Sequence, residues 1–211
     1  MSLSTTPTPR PNTWKRLRSG ILWVLCIAIA LLSLRFLVFG IAESMDVMLE
    51  HSQLRPFATY THILLAPLVL TLLPFQFWSG LRTRRPALHR GIGRSYALGI
   101  LLSGTAGLWL AVTTPAGPVA GWGFGLLAVL WLGVTAQAVR FARRREITRH
   151  RRWMIRSAAL TLAAVSLRLQ LPFLAYGLGF DLGYTLVAWS CWVPNVVVAE
   201  LLLLRPILQR A

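Results

Sequence analysis

The stretch HRRWMIRS, residues 150–157, decides the fold, because it places three arginines, a histidine and an aromatic residue directly before a long apolar run. A basic segment that opens about 20 apolar residues is typical of a transmembrane helix that starts at the cytosolic surface. The stretch HRGIGRS, residues 89–95, opens another apolar run in the same way. These two stretches are where the sequence predicts any headgroup binding or chemistry.

The composition is that of a membrane protein. Of the 211 residues, 55% are hydrophobic and only 13% are charged, whereas a soluble domain needs a larger charged fraction on its surface. The length suits one membrane-embedded domain.

The positive charge follows a membrane topology. The formal net charge is +16, which in a soluble protein would indicate a nucleic-acid partner. Nearly all of the 22 Lys and Arg residues, however, lie before the first apolar run, between the second and third, between the fourth and fifth, or after the last. Alternating helices put all four segments on one side, which is the positive-inside pattern. We therefore expect no nucleic-acid partner and both termini in the cytosol.

Six apolar runs account for the rest of the chain. They predict an all-α protein with six transmembrane helices in one bundle over residues 20–205, with spans at about 21–41, 57–79, 95–112, 121–139, 153–176 and 184–204. Residues 1–19 are predicted to be a disordered basic tail and residues 206–211 a short cytosolic tail. Ser103 and Gly107 form a small-residue face for close helix contact. Cys26 and Cys191, at different depths, are expected to be buried thiols without a disulfide.

The candidate ligands of a metal or haem are His89 and His150, with His62 as a third candidate. The topology sets the first two at the same ends of their helices and at similar depth. Two imidazoles can bind haem b as axial ligands, with arginines pairing to its propionates, or they can bind a metal ion. The alternative is that both are solvated loop residues.

The arginines of the same two stretches could bind an anion. Arg90 and Arg94, and likewise Arg152 and Arg156, are four residues apart and so share a helix face. Each pair lies near a helix N-terminus, where free amide groups favour negative charge. The simpler interpretation is that these arginines fix the topology and contact anionic lipid headgroups.

Polar residues inside the apolar runs are the remaining candidates, because charge is costly within a bilayer. Arg35, His62 and Arg168 are predicted to lie in the outer halves of their spans, where they could line one pocket for an anion, a quinone carbonyl or a haem propionate. For Arg35 and Arg168 the alternative is snorkelling to the interface. Glu200, near Asn195, is expected to form a structural ion pair with Arg156 or Arg94. Asn195 and Glu200 are also candidate ligand-binding residues.

No recognisable catalytic motif is present. The sequence has no Ser-His-Asp order, no phosphate-binding glycine loop and no paired carboxylates. Hydrolase chemistry is therefore not indicated.

Several motifs together resemble a known family. These are His62, PFQF at 74–77, His89-Arg90 with Gly93, Arg94 and Tyr96, the stretch 150–157, Leu167-Arg168, and WVPN at 192–195 followed by Glu200. Over about residues 20–205 the chain is similar to a bacterial family of predicted membrane proteins, domain of unknown function 2306. The resemblance implies a polytopic inner-membrane protein and supplies no activity. The positions that match the family pattern are His62, His89, Arg94, His150, Arg156, Arg168, Asn195 and Glu200.

The sequence therefore predicts a bacterial inner-membrane protein that binds a ligand or a redox group of haem or quinone type, with a basic cytosolic face. The alternatives are a transporter or lipid-handling protein for an anionic amphiphile, and a structural subunit of a membrane complex or a homo-oligomer. Its expected surroundings are the lipid bilayer and anionic headgroups.

Overall fold

The structure, a computed structural model, describes residues 13–208. It is 91% helical, and no strand occurs within that range. The helices are α1 (Thr13–Ser33), α2 (Phe36–Met45), α3 (Leu49–Leu54), α4 (Pro56–Phe77), α5 (Ser79–Arg84), α6 (Pro86–Val112), α7 (Gly117–Arg143), α8 (Ile147–Thr161), α9 (Ala163–Leu178), α10 (Phe180–Ser190) and α11 (Val193–Leu208). A 3-10 turn, Asp46–Met48, joins α2 to α3.

Five helical segments are long and apolar enough to cross a membrane. They are α4, α6, α7, the segment Ile147–Leu178 made of α8 and α9, and the segment Phe180–Leu204 made of α10 and most of α11. A further pair, Ser19–Ser33 and Phe36–Leu54, passes the same test together but is bent by 82°. The described chain thus has five spans, or six if the bent pair is one span, and the predicted all-helical membrane bundle is confirmed.

The first span differs most from its sequence prediction. Residues 21–41 were expected to form one helix, but the chain bends after Ser33, whose hydroxyl donates to the carbonyl of Ile29 at 2.6 Å. Arg35 folds back and donates to the carbonyl of Ser44. The guanidinium thereby gives this carbonyl a hydrogen-bond donor, which in a straight helix would have come from the backbone of the same helix.

The two predicted tails also differ in extent. Helix α1 begins at Thr13, within the tail predicted over residues 1–19, because a run rich in Lys, Arg and Leu can extend an apolar helix at little cost. At the other end α11 continues to Leu208. Residues 1–12 and 209–211 lie outside the described part of the chain.

Helices α4 and α6 pack closely through a histidine. The His62 Nδ1 atom lies 2.9 Å from the carbonyl oxygen of Ser103 and 3.3 Å from its hydroxyl. A Cβ on Gly107 would lie only 2.8 Å from the same Nδ1. Ser103 and Gly107 thus give the close helix contact that their spacing predicts, and the imidazole of His62 packs against them.

The last two spans are each broken near the middle. Pro194 has no N–H to donate to the carbonyl of Ser190, four residues earlier. Gln170 of α9 supplies the missing donor at 3.3 Å, and the Ser190 hydroxyl donates back to the Gln170 side-chain oxygen at 2.6 Å. Polar side chains replace the helical hydrogen bond, as required where no water reaches.

Asn195 joins the two breaks. Its amide group donates to the carbonyl of Ala159 at 3.2 Å and to that of Cys191 at 3.0 Å, and its oxygen accepts from the hydroxyl of Ser166 at 3.1 Å. One side chain therefore connects α8, α9 and α11.

A buried hydroxyl network connects α6, α7 and α8. The Tyr96 hydroxyl lies 2.7 Å from that of Thr161 and 3.1 Å from that of Ser157, which in turn lies 2.7 Å from the hydroxyl of Thr135. The indole of Trp131 donates to Thr161 at 2.9 Å. All five side chains are buried.

The set of hydrogen bonds determines which hydroxyl is the donor in each pair. Thr161 donates to the carbonyl of Ser157 at 2.9 Å, so Tyr96 must donate to Thr161. Because the Tyr96 proton is used in that bond, Ser157 must donate to Tyr96. The Ser157 proton is then used as well, so Thr135 must donate to Ser157. Each hydroxyl in the network donates once.

Both cysteines lie in the core and neither forms a disulfide. Cys26 and Cys191 are each 0% exposed. The prediction of two buried free thiols is confirmed.

Candidate functional site

The basic end of the bundle comprises α5, the start of α6, the end of α7 and the start of α8. His89 lies in the first turns of α6 and His150 in the first turn of α8. The two imidazoles lie close enough for their charges to interact. The structure thus places the two histidines at the same end of the bundle, within Coulombic range of each other.

His150 is held in one orientation by the preceding helix. Its Nδ1 atom lies 2.9 Å from the carbonyl oxygen of Ala138 in α7. Because a carbonyl only accepts, Nδ1 carries the proton and a neutral ring has its lone pair on Nε2. Histidines that bind metals commonly have this arrangement, in which the other ring nitrogen is fixed by a backbone carbonyl.

Two buried polar atoms lie at the same end. The Nδ1 atom of His89 and the side-chain nitrogen of Gln76, at the end of α4, are both buried without a hydrogen-bond partner in the described part of the chain. Gln76 lies against Gly93 of α6, where a Cβ would be 3.2 Å from its side-chain oxygen. Since buried donors and acceptors normally find partners, these atoms mark a place where a ligand could supply them.

The arginines around the two histidines have different surroundings. Arg82 and Arg90 lie within Coulombic range of His89. Arg94 and Arg152 are exposed, and Arg152 lies within Coulombic range of Glu200. Arg82 and Arg90 therefore belong to the surroundings of His89.

Arg156 and Glu200 are engaged with each other. Nε and Nη2 of Arg156 donate to the two carboxylate oxygens at 2.6 and 2.7 Å. The guanidinium also lies over the ring of Trp153, 5.0 Å from its centroid. This fork-to-fork pair joins α8 to α11, and it is the ion pair that the sequence suggested for Glu200.

A second group of candidates meets in the half of the bundle away from the basic end. Arg168 of α9 lies close enough to Arg35 and to His62 of α4 for their charges to interact. The structure thus groups the three residues that the sequence had placed in one pocket. Asn195 is not among them, because it uses its amide group to join the helix breaks.

A metal site made by protein alone is not found. The described residues contain no cluster of three or more His, Cys, Asp or Glu side chains that could hold an ion. The histidine pair offers two ligands, fewer than a structural zinc site takes.

A family model described as "Predicted membrane protein (DUF2306)" matches residues 59–203, more than half of the chain. The chain belongs to this family. The resemblance that the motifs indicate is confirmed. Of the candidate residues, only Arg35 lies outside the matched range. Comparison with curated proteins and with solved structures finds no match. The family description establishes a membrane protein and states no activity.

Sequence reasoning did not single out Gln76, Arg82 or the hydroxyl network as parts of a site or core. A signal was available for the network, because polar side chains inside apolar spans usually face the bundle interior. Thr135 and Thr161 are such residues. For Gln76 the only signal was its place in a family motif.

Proposed function

We propose that this protein is a membrane module that holds a redox group, haem b, between His89 and His150 at its basic end. The observation that carries the proposal is the hydrogen bond from Nδ1 of His150 to the carbonyl of Ala138, at 2.9 Å. It leaves Nε2 as the free ligand atom and fixes the ring plane.

The ligand count favours haem over a simple metal ion. A haem iron needs only axial ligands from the protein, because the macrocycle supplies the other four. The described residues offer two imidazoles at this place and no cluster of three ligands. Two histidines therefore suffice for haem, whereas zinc sites use three or four protein ligands.

The surrounding charges suit the same group. Arg82 and Arg90 lie within Coulombic range of His89, and haem carries two propionates that arginine binds through charge-assisted hydrogen bonds. The unpaired side-chain nitrogen of Gln76 adds a neutral donor at the same end. When bound, the haem would supply one-electron chemistry, while the chain supplies ligation and charge balance.

The test is the absorption spectrum of membranes and purified protein from cells supplied with a haem precursor. We expect a Soret band in the wild type that is lost in His89→Ala and His150→Ala and retained in His51→Gln, a variant of a histidine in α3, away from the basic end. A wild-type protein without a Soret band, or equal spectra in all four proteins, would overturn the proposal.

We further propose that the basic end faces the cytoplasm and that the protein resides in a bacterial inner membrane. The support is the positive-inside rule: the arginines at 140–145 are exposed at that end and can contact anionic headgroups at about 1 kcal/mol each. A reporter that is active only in the cytoplasm, fused after residue 211, should be active; activity only of a periplasmic reporter would contradict this orientation.

A further inference from the structure

Among the described residues, Arg168 is a half-buried cation without a counter-ion. It lies in the α9 half of the apolar span Ile147–Leu178. The ion pairs of the described residues join Arg149 to Glu146 and Arg156 to Glu200, and none includes Arg168. A second arginine, Arg35, lies within Coulombic range of it.

Most of the hydrogen-bonding capacity of Arg168 is unused. A guanidinium has five N–H donors. Within the described residues, Arg168 makes one hydrogen bond, from Nη1 to the carbonyl of Ala164 at 3.2 Å. The other polar groups nearby are already engaged: Arg35 donates to the carbonyl of Ser44, and His62 pairs with Ser103.

An unpaired guanidinium with a second cation in its surroundings is unfavourable unless a further group binds to it. Moving an unpaired cation out of water is costly, and a second positive charge within Coulombic range adds repulsion. A guanidinium cannot reduce this cost by losing its proton near neutral pH. A negative group from outside the described residues would remove both penalties.

We propose that Arg168, with Arg35 beside it, binds a carboxylate in the half of the bundle away from the basic end. A carboxylate fits because its two oxygens match the planar fork of a guanidinium. Its single charge also matches the site, since Arg168 is half-buried without a partner charge, whereas Arg35 is exposed and already donates to the carbonyl of Ser44. This site is separate from the histidine pair and does not depend on the proposed haem.

The carboxylate can come from two sources with the same chemistry. One is a fatty acid that reaches Arg168 from the bilayer, and the other is a small soluble acid that enters from the adjacent aqueous side. Laurate and acetate represent these sources, because they share the headgroup and differ only in the apolar chain.

The experiment measures thermal stability and ligand binding of the full-length protein in a non-ionic detergent, with laurate or acetate added. The variants are Arg168→Gln, Arg168→Lys and, as a matched control, Arg143→Gln at the exposed surface of the basic end. We expect at least one acid to raise the Tm of the wild type and of the control. Both Arg168 variants should bind that acid about tenfold more weakly or worse, because a charge-assisted pair is lost or misaligned.

The outcomes separate the sources. Stabilisation by laurate alone supports an amphiphile, and equal stabilisation by both acids, compared at equal free concentration, supports a soluble ligand. Without any added acid, Arg168→Gln should be at least as stable as the wild type, because the unpaired charge is gone. The proposal is overturned if neither acid stabilises the wild type, or if Arg168→Lys binds the acid as tightly as the wild type does. The Lys variant also decides the matter should the Gln variant fail to fold.

Discussion

Replacing Asn195 by alanine removes three hydrogen bonds that hold the two broken spans together. The side chain donates to the carbonyls of Ala159 and Cys191 and accepts from Ser166, at distances of 3.0 to 3.2 Å. Hydrogen bonds between membrane helices contribute about 0.6 kcal/mol on average and up to about 1.7 kcal/mol each. Three of them give an expected loss of about 2–5 kcal/mol in the free energy of unfolding.

Asn195→Asp is a sharper perturbation because it preserves the shape. The amide donors are replaced by an oxygen that can only accept when it is ionised, so it faces two carbonyl oxygens without a proton to share. We therefore expect Asp to destabilise the protein more than alanine does. A ligand-binding role for Asn195, which the sequence suggested, predicts instead little change in stability.

The assay is reversible unfolding in mixed micelles, followed by far-UV circular dichroism as the denaturing detergent is increased. Gln53→Ala removes an exposed amide in α3 and serves as the control. If Asn195→Ala loses no more stability than Gln53→Ala, the proposed joining role is refuted. If Asp is tolerated better than alanine, the assignment of the two amide donors is refuted.

Three further outcomes test the packing. A double-mutant cycle on Arg156 and Glu200, which are 22% and 41% exposed, should give a coupling of about 1 kcal/mol in unfolding experiments, and zero coupling would contradict the bidentate geometry. Gly107→Ala should cost about 1–3 kcal/mol because the new methyl group meets an imidazole, whereas Gly133→Ala, in open space, should be neutral or stabilising; equal effects on Tm would contradict the close contact. The two buried cysteines should resist maleimide labelling until the protein unfolds, and rapid labelling of the folded protein would show that the core is more open than described.

The spans were predictable because the bilayer imposes a length and a polarity that apolar runs reveal directly. The break between α8 and α9 was not, because residues 161–163 contain neither proline nor glycine. The break before α11 had a signal in Pro194, but the partner that replaces its missing hydrogen bond comes from another helix. Such partners depend on helix rotation and packing, which one sequence does not encode locally.

The candidate sites, like the spans, could be predicted from the sequence only in part. Topology alone predicted that His89 and His150 share a level, because both follow basic loops on one side. Their separation, and the carbonyl that orients His150, depend on how α6, α7 and α8 pack. Gln76 lies at this end of the bundle beside Gly93 only because α4 packs against α6. No spacing along the chain relates these residues.

The hydroxyl network has a one-way order. Protons are donated from Thr135 to Ser157, then to Tyr96, then to Thr161, and the last donation ends on the Ser157 carbonyl, which cannot return a proton. The hydroxyls can therefore reverse only together, and reversal would break the terminal bond. Hydrogen bonds linked in this way strengthen one another in a medium of low dielectric constant. Helices α6, α7 and α8 thus share one hydrogen-bonded arrangement whose sense is set by a single backbone oxygen.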